Sequence, residues 1–225
     1  AVDLLSASDE AFIVEGGSGA LVEALAARLA GPIEYGRRLA RIEPAGQGHR
    51  LVLADGGAVE VDATIVAVPV AAMRALAFDV PLPPLLPEFA AEVSPGRNEK
   101  VFAGFHGHPW RTPGGFGADV WTDGPAAVAW DPSLRQPDLA DGALTLFTGG
   151  EAAARLGDAA AFARSTLATL EPAFPGILAG LNGRAERTAW GEVRGLEGAY
   201  TSFAPGQLTR FASCFWVEAD GAAVQ

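Results

Sequence analysis

Residues 11–29 read Ala11-Phe12-Ile13-Val14-Glu15-Gly16-Gly17-Ser18-Gly19, followed by Ala20-Leu21-Val22-Glu23-Ala24-Leu25-Ala26-Ala27-Arg28-Leu29. A short apolar run meets a glycine cluster, and leucines then recur every four residues at 21, 25 and 29, with Val22 beside them. That order predicts a strand, a tight turn and a helix. Gly31-Pro32 ends the helix, because proline lacks the amide hydrogen a further turn would use. A dinucleotide-binding turn shares this context but is spaced G-x-G-x-x-G, and Leu21-Val22 stands where the last glycine would fall. The cluster reads as a tight turn at a helix start, with direct phosphate contact as the lesser alternative.

Downstream, residues 33–42 predict one or two short strands around Gly36. Residues 51–61 alternate apolar and polar on both sides of Asp55-Gly56-Gly57, which is a hairpin signal. Ile65-Val66-Ala67-Val68 reads as a buried strand ending at Pro69, with a short helix over about 71–76. The Pro-Leu-Pro-Pro-Leu-Leu-Pro stretch at 81–87 is incompatible with helix or central strand and marks the candidate domain crossing. Strands follow near 99–106, 118–122, 126–130 and 143–148. A helix over about 158–172 places Phe162, Leu167 and Leu170 on one face before Pro175-Gly176 closes it. Residues 186–193 and 198–203 read as strands. Interleaved strands and helices make the fold class α/β, of the mixed α+β kind. The 51–61 hairpin argues against a purely parallel sheet.

Composition narrows the function. Apolar residues are 49% and charged residues 19% of 225, enough for a sizeable core. The net charge of −11 excludes general electrostatic binding of nucleic acid, which needs clustered Lys and Arg, and it disfavours anionic membranes. No apolar run reaches the ~20 residues of a membrane-spanning helix. A small-molecule partner is therefore expected. Cys214 is the single cysteine, so no internal disulfide forms, which fits a reducing compartment; the alanine, arginine and glycine bias points to a cytoplasmic protein. The chain starts at Ala1 with Met73 as its sole methionine, the mark of a processed, trimmed or partial chain.

Few residues look reactive. His106 and His108, two apart on an expected strand, share a face but lack nearby ligands for a metal site and read as a solvated pair. Cys214 has no activating partner. Lys100, the only lysine, opens an apolar strand (Val101, Phe102, Ala103) after Ser94-Pro95-Gly96; it either snorkels or points into a site. Trp190 and Tyr200 flank a glycine-rich stretch from Gly191 to Gly198. They pack in a core or approach a flat ligand.

Taken in order, these segments resemble the flavin-dependent amine oxidases: monoamine, polyamine and L-amino-acid oxidases. Phe12 through Gly17 with Leu21 and Leu25 resembles the family's glycine turn and helix. Ile33–Ile42, the Asp55-Gly56 hairpin and Ile65 through Pro69 resemble its second FAD-domain segment. Phe78 with Pro81-Leu82-Pro83 resembles the exit to the substrate domain. Gly96-x-x-x-Lys100 with Pro109-Trp110-Arg111 resembles its lysine strand, and Trp190, Gly198-Ala199-Tyr200 and Pro205-Gly206 its return to the flavin.

The resemblance implies a partial FAD-binding domain at 1–88, a mixed-sheet substrate-binding domain at 89–189 and a return segment at 190–225. It implies that Lys100 holds a water at flavin N5, that Tyr200 is one side of an aromatic cage for the amine, and that Trp190 packs near the isoalloxazine. Leu39 falls where the family contacts adenine, and Ala67 and Val68 fall at a strand end beside the cofactor. Ala199 replaces the flavin-linking cysteine of mammalian monoamine oxidases, so FAD is expected to be non-covalent. The expected reaction is oxidation of an amine or amino acid to an imine, with hydrogen peroxide formed. The alternatives are a protoporphyrinogen-oxidase- or desaturase-like flavoprotein, or a non-catalytic binding domain. Neither the family's opening G-x-G-x-x-G nor its later Phe-Ala-Gly-Glu-type motif occurs in this sequence. The resemblance therefore covers the family's middle portion. It implies that the isolated chain lacks the pyrophosphate site and is inactive, and that it forms a homodimer or associates with other segments of the same enzyme.

Overall fold

A computed structural model describes residues 14–111, 120–133, 138–215, 217–219 and 222–224. The apolar run at 11–13, part of the expected strand at 118–122 and the ends of the chain lie outside these residues. The helix α1 (Ser18–Ala26) begins after Gly17, as the glycine cluster predicts. It buries none of its residues; Leu21, Val22 and Leu25 stay exposed. Regular leucine spacing set the helix, and no partner for its apolar stripe is present among the described residues.

A four-stranded sheet follows, in the order β3-β2-β1-β4. It is built from β1 (Leu39–Ala45), β2 (Gly48–Leu53), β3 (Ala58–Val61) and β4 (Ala77–Phe78). The pairs β1–β2 and β2–β3 are antiparallel, and β4 joins β1 in parallel. The hairpin turn lies at Asp55-Gly56-Gly57, where Asp55 accepts the Gly57 amide at 2.9 Å. Of the stretch at 33–42, only residues from Leu39 onward are strand.

Ile65 through Val68 correct the sequence reading: they form no strand and are not buried. Ile65 is 93% exposed. Apolar, β-branched composition marks a segment fit for burial, but a strand needs a neighbour to pair with, and this one has none among the described residues. The helix after it is α2 (Val70–Met73), shorter than expected.

The helix α3 (Leu86–Glu92) starts inside the proline-rich stretch. Pro87 occupies its first turn, where a missing amide hydrogen costs nothing; the prolines thus delay a helix rather than forbid it. Phe89 and Val93 pack with Phe211 in a small core. Phe89 meets Phe211 edge-on at 5.7 Å. Arg74 donates to the Ala90 and Val93 carbonyls, each at 2.6 Å, satisfying the end of α3.

The larger sheet has the order β6-β7-β8-β5-β9, from β5 (Asn98–Phe105), β6 (Val120–Trp121), β7 (Val128–Trp130), β8 (Gly142–Gly149) and β9 (Leu181–Arg187). All its pairings are antiparallel. The short α4 (Gly150–Ala154) follows β8. Then α5 (Ala159–Leu170) starts at Asp158, whose carboxylate accepts the Ala161 amide. Leu167 and Leu170 of α5 pack on Val101, Ala103 and Phe105 of β5 and on Leu144 and Leu146 of β8. One sheet face is therefore covered, at roughly 1.5–3 kcal/mol per large apolar side chain buried.

After β9 come α6 (Gln207–Arg210) and a two-stranded ribbon of β10 (Val217–Ala219) and β11 (Ala222–Val224). The strands expected at 186–193 and 198–203 are largely not there. β9 ends at Arg187, residues 190–192 form a single 3-10 turn, and 198–203 contributes only a Ser94–Ser202 bridge. Glycines at 191, 195 and 198 leave the backbone too unrestrained for a regular strand. No helix among the described residues is long and apolar enough to cross a membrane.

Candidate active site

Alternation along β5 sends Val101, Ala103 and Phe105 to the covered face and Lys100 and Phe102 to the other. Register places Lys100 opposite Phe147 and Phe102 opposite Thr145 of β8. Trp130 of β7 lies opposite Thr145 in turn. The uncovered face thus gathers the chain's one lysine with three aromatic rings. The Lys100 amino nitrogen lies 5.5 Å from the Trp130 ring centroid, within cation–π range. Trp130 and Phe147 are 6.1 Å apart, centroid to centroid. Phe102, Trp130 and Phe147 were not singled out as site residues in the sequence; period-two alternation puts Phe102 on the face of Lys100, but Trp130 and Phe147 join it through strand register.

Trp130 is held from behind. The next residue, Asp131, is buried and accepts from the Trp110 indole at 2.8 Å, the Arg111 guanidinium at 2.9 Å and the Ser133 hydroxyl at 2.6 Å. Burial pushes the Asp131 carboxyl up, but the Ser133 hydroxyl, the Trp110 indole, the Ser133 amide and Arg111 outweigh it and hold the group below its ordinary range. The Pro109-Trp110-Arg111 motif is therefore a structural knot that ties Asp131 to the buried core, where Trp110 packs with Phe105.

The histidines diverge. β5 stops at Phe105, so His106 and His108 do not share a strand face, because Gly107 turns the chain between them. His106 is exposed, 3.7 Å from Asp141. His108 is not solvated as expected: its ring lies edge-on to Trp110 at 5.6 Å. Burial, with a smaller push from Arg111, lowers its pKa. Cys214 has its thiol pushed up by burial, in keeping with an inert role, and no metal-ligand cluster exists among the described residues.

The two segments flanking the glycine-rich stretch are tied to the lysine strand. The Lys100 amide donates to the Thr188 hydroxyl at 2.9 Å, and the Thr188 amide to the Lys100 carbonyl at 2.9 Å. Trp190 follows two residues later. The Ala199 amide donates to Pro95 at 3.0 Å, and the Ser202 amide to Ser94 at 2.8 Å. Tyr200 and Trp190 are both substantially exposed, so neither is ordinary core packing. Leu39 opens β1 opposite Leu53. Ala67 and Val68 sit on the unpaired segment. No hydrogen bond or ring contact joins these three to the Lys100 group among the described residues.

This architecture is that of solved amine oxidases. Putrescine oxidase bound to putrescine superposes with a TM-score of 0.73 at 22% identity, over 88% of this chain and 44% of that one. Cyclohexylamine oxidase from Brevibacterium oxydans IH-35A gives a TM-score of 0.66 at 22% identity, over 81% and 40%. In sequence, AofH of Mycobacterium tuberculosis, whose name places it among flavin-containing monoamine oxidases, is 32% identical over 120 residues, covering 53% of this chain and 26% of AofH. The flavin containing amine oxidoreductase profile matches residues 3–214. The chain belongs to that family, an oxidoreductase family whose cofactor is a flavin, and it spans less than half the length of these relatives, from 26% to 44%.

Proposed function

We propose that, in the complete protein, this chain forms one wall of the active site of an FAD-dependent oxidase that converts a small amine or amino acid to an imine with formation of hydrogen peroxide. The open face carries the reading: one lysine beside Trp130 and Phe147, on a strand whose other face is sealed by α5. A wall of this kind strips water from a substrate, which favours the neutral amine that reacts. The amino group of Lys100 offers donors to a water or to a developing charge, and the exposed ring of Tyr200 orients the substrate nitrogen.

The residues fit a flat cofactor. Ala199 presents a methyl group and no thiol, consistent with non-covalent binding. Leu39, Ala67 and Val68 offer backbone, and the Ala67 and Val68 amides donate no hydrogen bond among the described residues. Trp190 supplies a half-exposed ring. When bound, FAD accepts the electron pair and hydrogen that leave the carbon bearing the amine.

The test is stopped-flow reduction and reoxidation of the full-length flavoprotein, alongside amine-dependent peroxide release. Lys100→Met should slow one half-reaction by about 10- to 1000-fold, the range for lost electrostatic or proton-transfer assistance, with the fold intact. Unchanged rates in both half-reactions would remove Lys100 from the site. Oxidation of a porphyrinogen but of no amine would move the protein to the protoporphyrinogen-oxidase-like reading. Acid denaturation should release free FAD; flavin retained on the polypeptide would overturn the non-covalent assignment.

A further inference from the structure

We infer that Gly96 and Gly198 together permit a close backbone contact that positions the Tyr200 segment against the strand carrying Lys100. Gly96 has φ +67, and a Cβ there would lie 2.0 Å from the Tyr200 carbonyl oxygen and 3.2 Å from its carbon. A Cβ on Gly198 would lie 2.5 Å from Pro95 Cβ, 2.8 Å from the Pro95 oxygen and 3.0 Å from the Gly96 oxygen. Gly96 therefore lets the Tyr200 carbonyl pass where a side chain would stand, and Gly198 does the same for Pro95 and the Gly96 carbonyl. The nearest obstacles are almost all backbone, so no flexible side chain can swing aside.

Two hydrogen bonds close over this contact, Ala199 to Pro95 and Ser202 to Ser94, at 3.0 and 2.8 Å. The loop turns into it through Glu197, the one described non-glycine residue at positive φ, at 51°. A non-glycine residue in that region is strained, and the contact that follows holds it there. Real Cβ atoms essentially never approach within 3.0 Å. Any side chain at 96 must therefore drive the Tyr200 backbone off by about 1 Å, a misplacement on the order of 100-fold in rate for a group that orients a reactant. Gly96 and Gly198 are positioning residues; the catalytic half of the inference rests on the role proposed for Tyr200.

The experiment compares Gly96→Ala with Gly36→Ala in the full-length protein. Gly36 has a similar φ of +72 but no atom within 4 Å of its missing Cβ, so Gly36→Ala carries the backbone strain without the collision. Amide hydrogen exchange should quicken at Ala199 and Ser202 in Gly96→Ala alone, while the β5–β8 amides keep their protection. Equal protection in both variants, or equal loss in both, would overturn the contact. Amine-driven flavin reduction should fall about 100-fold in Gly96→Ala, with reoxidation by oxygen little changed. Quickened exchange with an unchanged reduction rate would overturn the positioning role. A wild-type protein that oxidises no amine would instead sink the proposed function and leave the exchange result standing.

Discussion

At the scale of single residues, His108 shows how a neutral side chain can become an acid-sensitive one. Its ring nitrogen Nε2 is buried with no hydrogen-bond partner among the described residues. Burial and the neighbouring Arg111 lower its pKa, while Asp131 and Asp141 act in the opposite direction and lose. The ordinary value is about 6.5, so the unfolded chain takes up a proton before the folded one as pH falls. Stability from the neutral ring is therefore intact above that value and is lost as pH drops below it toward the folded-state pKa. Thermal unfolding between about pH 7 and pH 5 should show this decline, and His108→Phe should flatten it. An identical pH profile for both proteins would show that the imidazole is not titrating in this window.

At the scale of elements, equal periodicity has unequal consequences. Leu21 and Leu25 of α1 are as regularly spaced as the apolar residues of α5, yet α1 buries nothing and Leu167 of α5 is fully buried. Leu167→Ala should cost about 2–5 kcal/mol in urea unfolding of the 225-residue chain, and Leu25→Ala within about 0.5 kcal/mol of nothing. A large loss at Leu25 would mean that α1 docks on a surface of this chain. The same contrast explains what the sequence could disclose. Local signals placed helix α5, the Asp55-Gly56 turn and strands β5 and β8, because each depends on residues close in the chain. Ile65–Val68 misled because burial depends on a neighbour that local composition does not encode. Lys100 stood out by being alone, whereas Trp130 and Phe147 came to it only through register across three strands. Residues 186–193 and 198–203 read as strands, yet strand ends at Arg187 and the second segment makes only the Ser202 bridge, since the glycines between them leave the backbone unrestrained.

At the scale of the whole molecule, acidity opposes exposed apolar surface. Leu21, Val22, Leu25, Ile65 and Val68 are all exposed, and large exposed apolar patches drive association. The net charge of −11 repels copies of the chain from one another. Salt weakens that repulsion, since the screening length falls from about 30 Å at 0.01 M to about 3 Å at 1 M. Sedimentation of the 225-residue chain should therefore show larger species as salt rises, and Leu25→Glu with Ile65→Asp should suppress them. Salt-independent behaviour would indicate that these side chains take no part in association.

The single lysine has a use unconnected with catalysis. An endoprotease that cleaves only after lysine can cut this sequence at one bond, Lys100–Val101. That bond lies within β5, which is hydrogen-bonded to β8 on one side and to β9 on the other. A protease must draw several residues of extended chain into its cleft, so it cannot cut while both neighbours are in place. The rate at which the intact chain splits into residues 1–100 and 101–225 thus clocks the opening of this interior strand, with no label introduced.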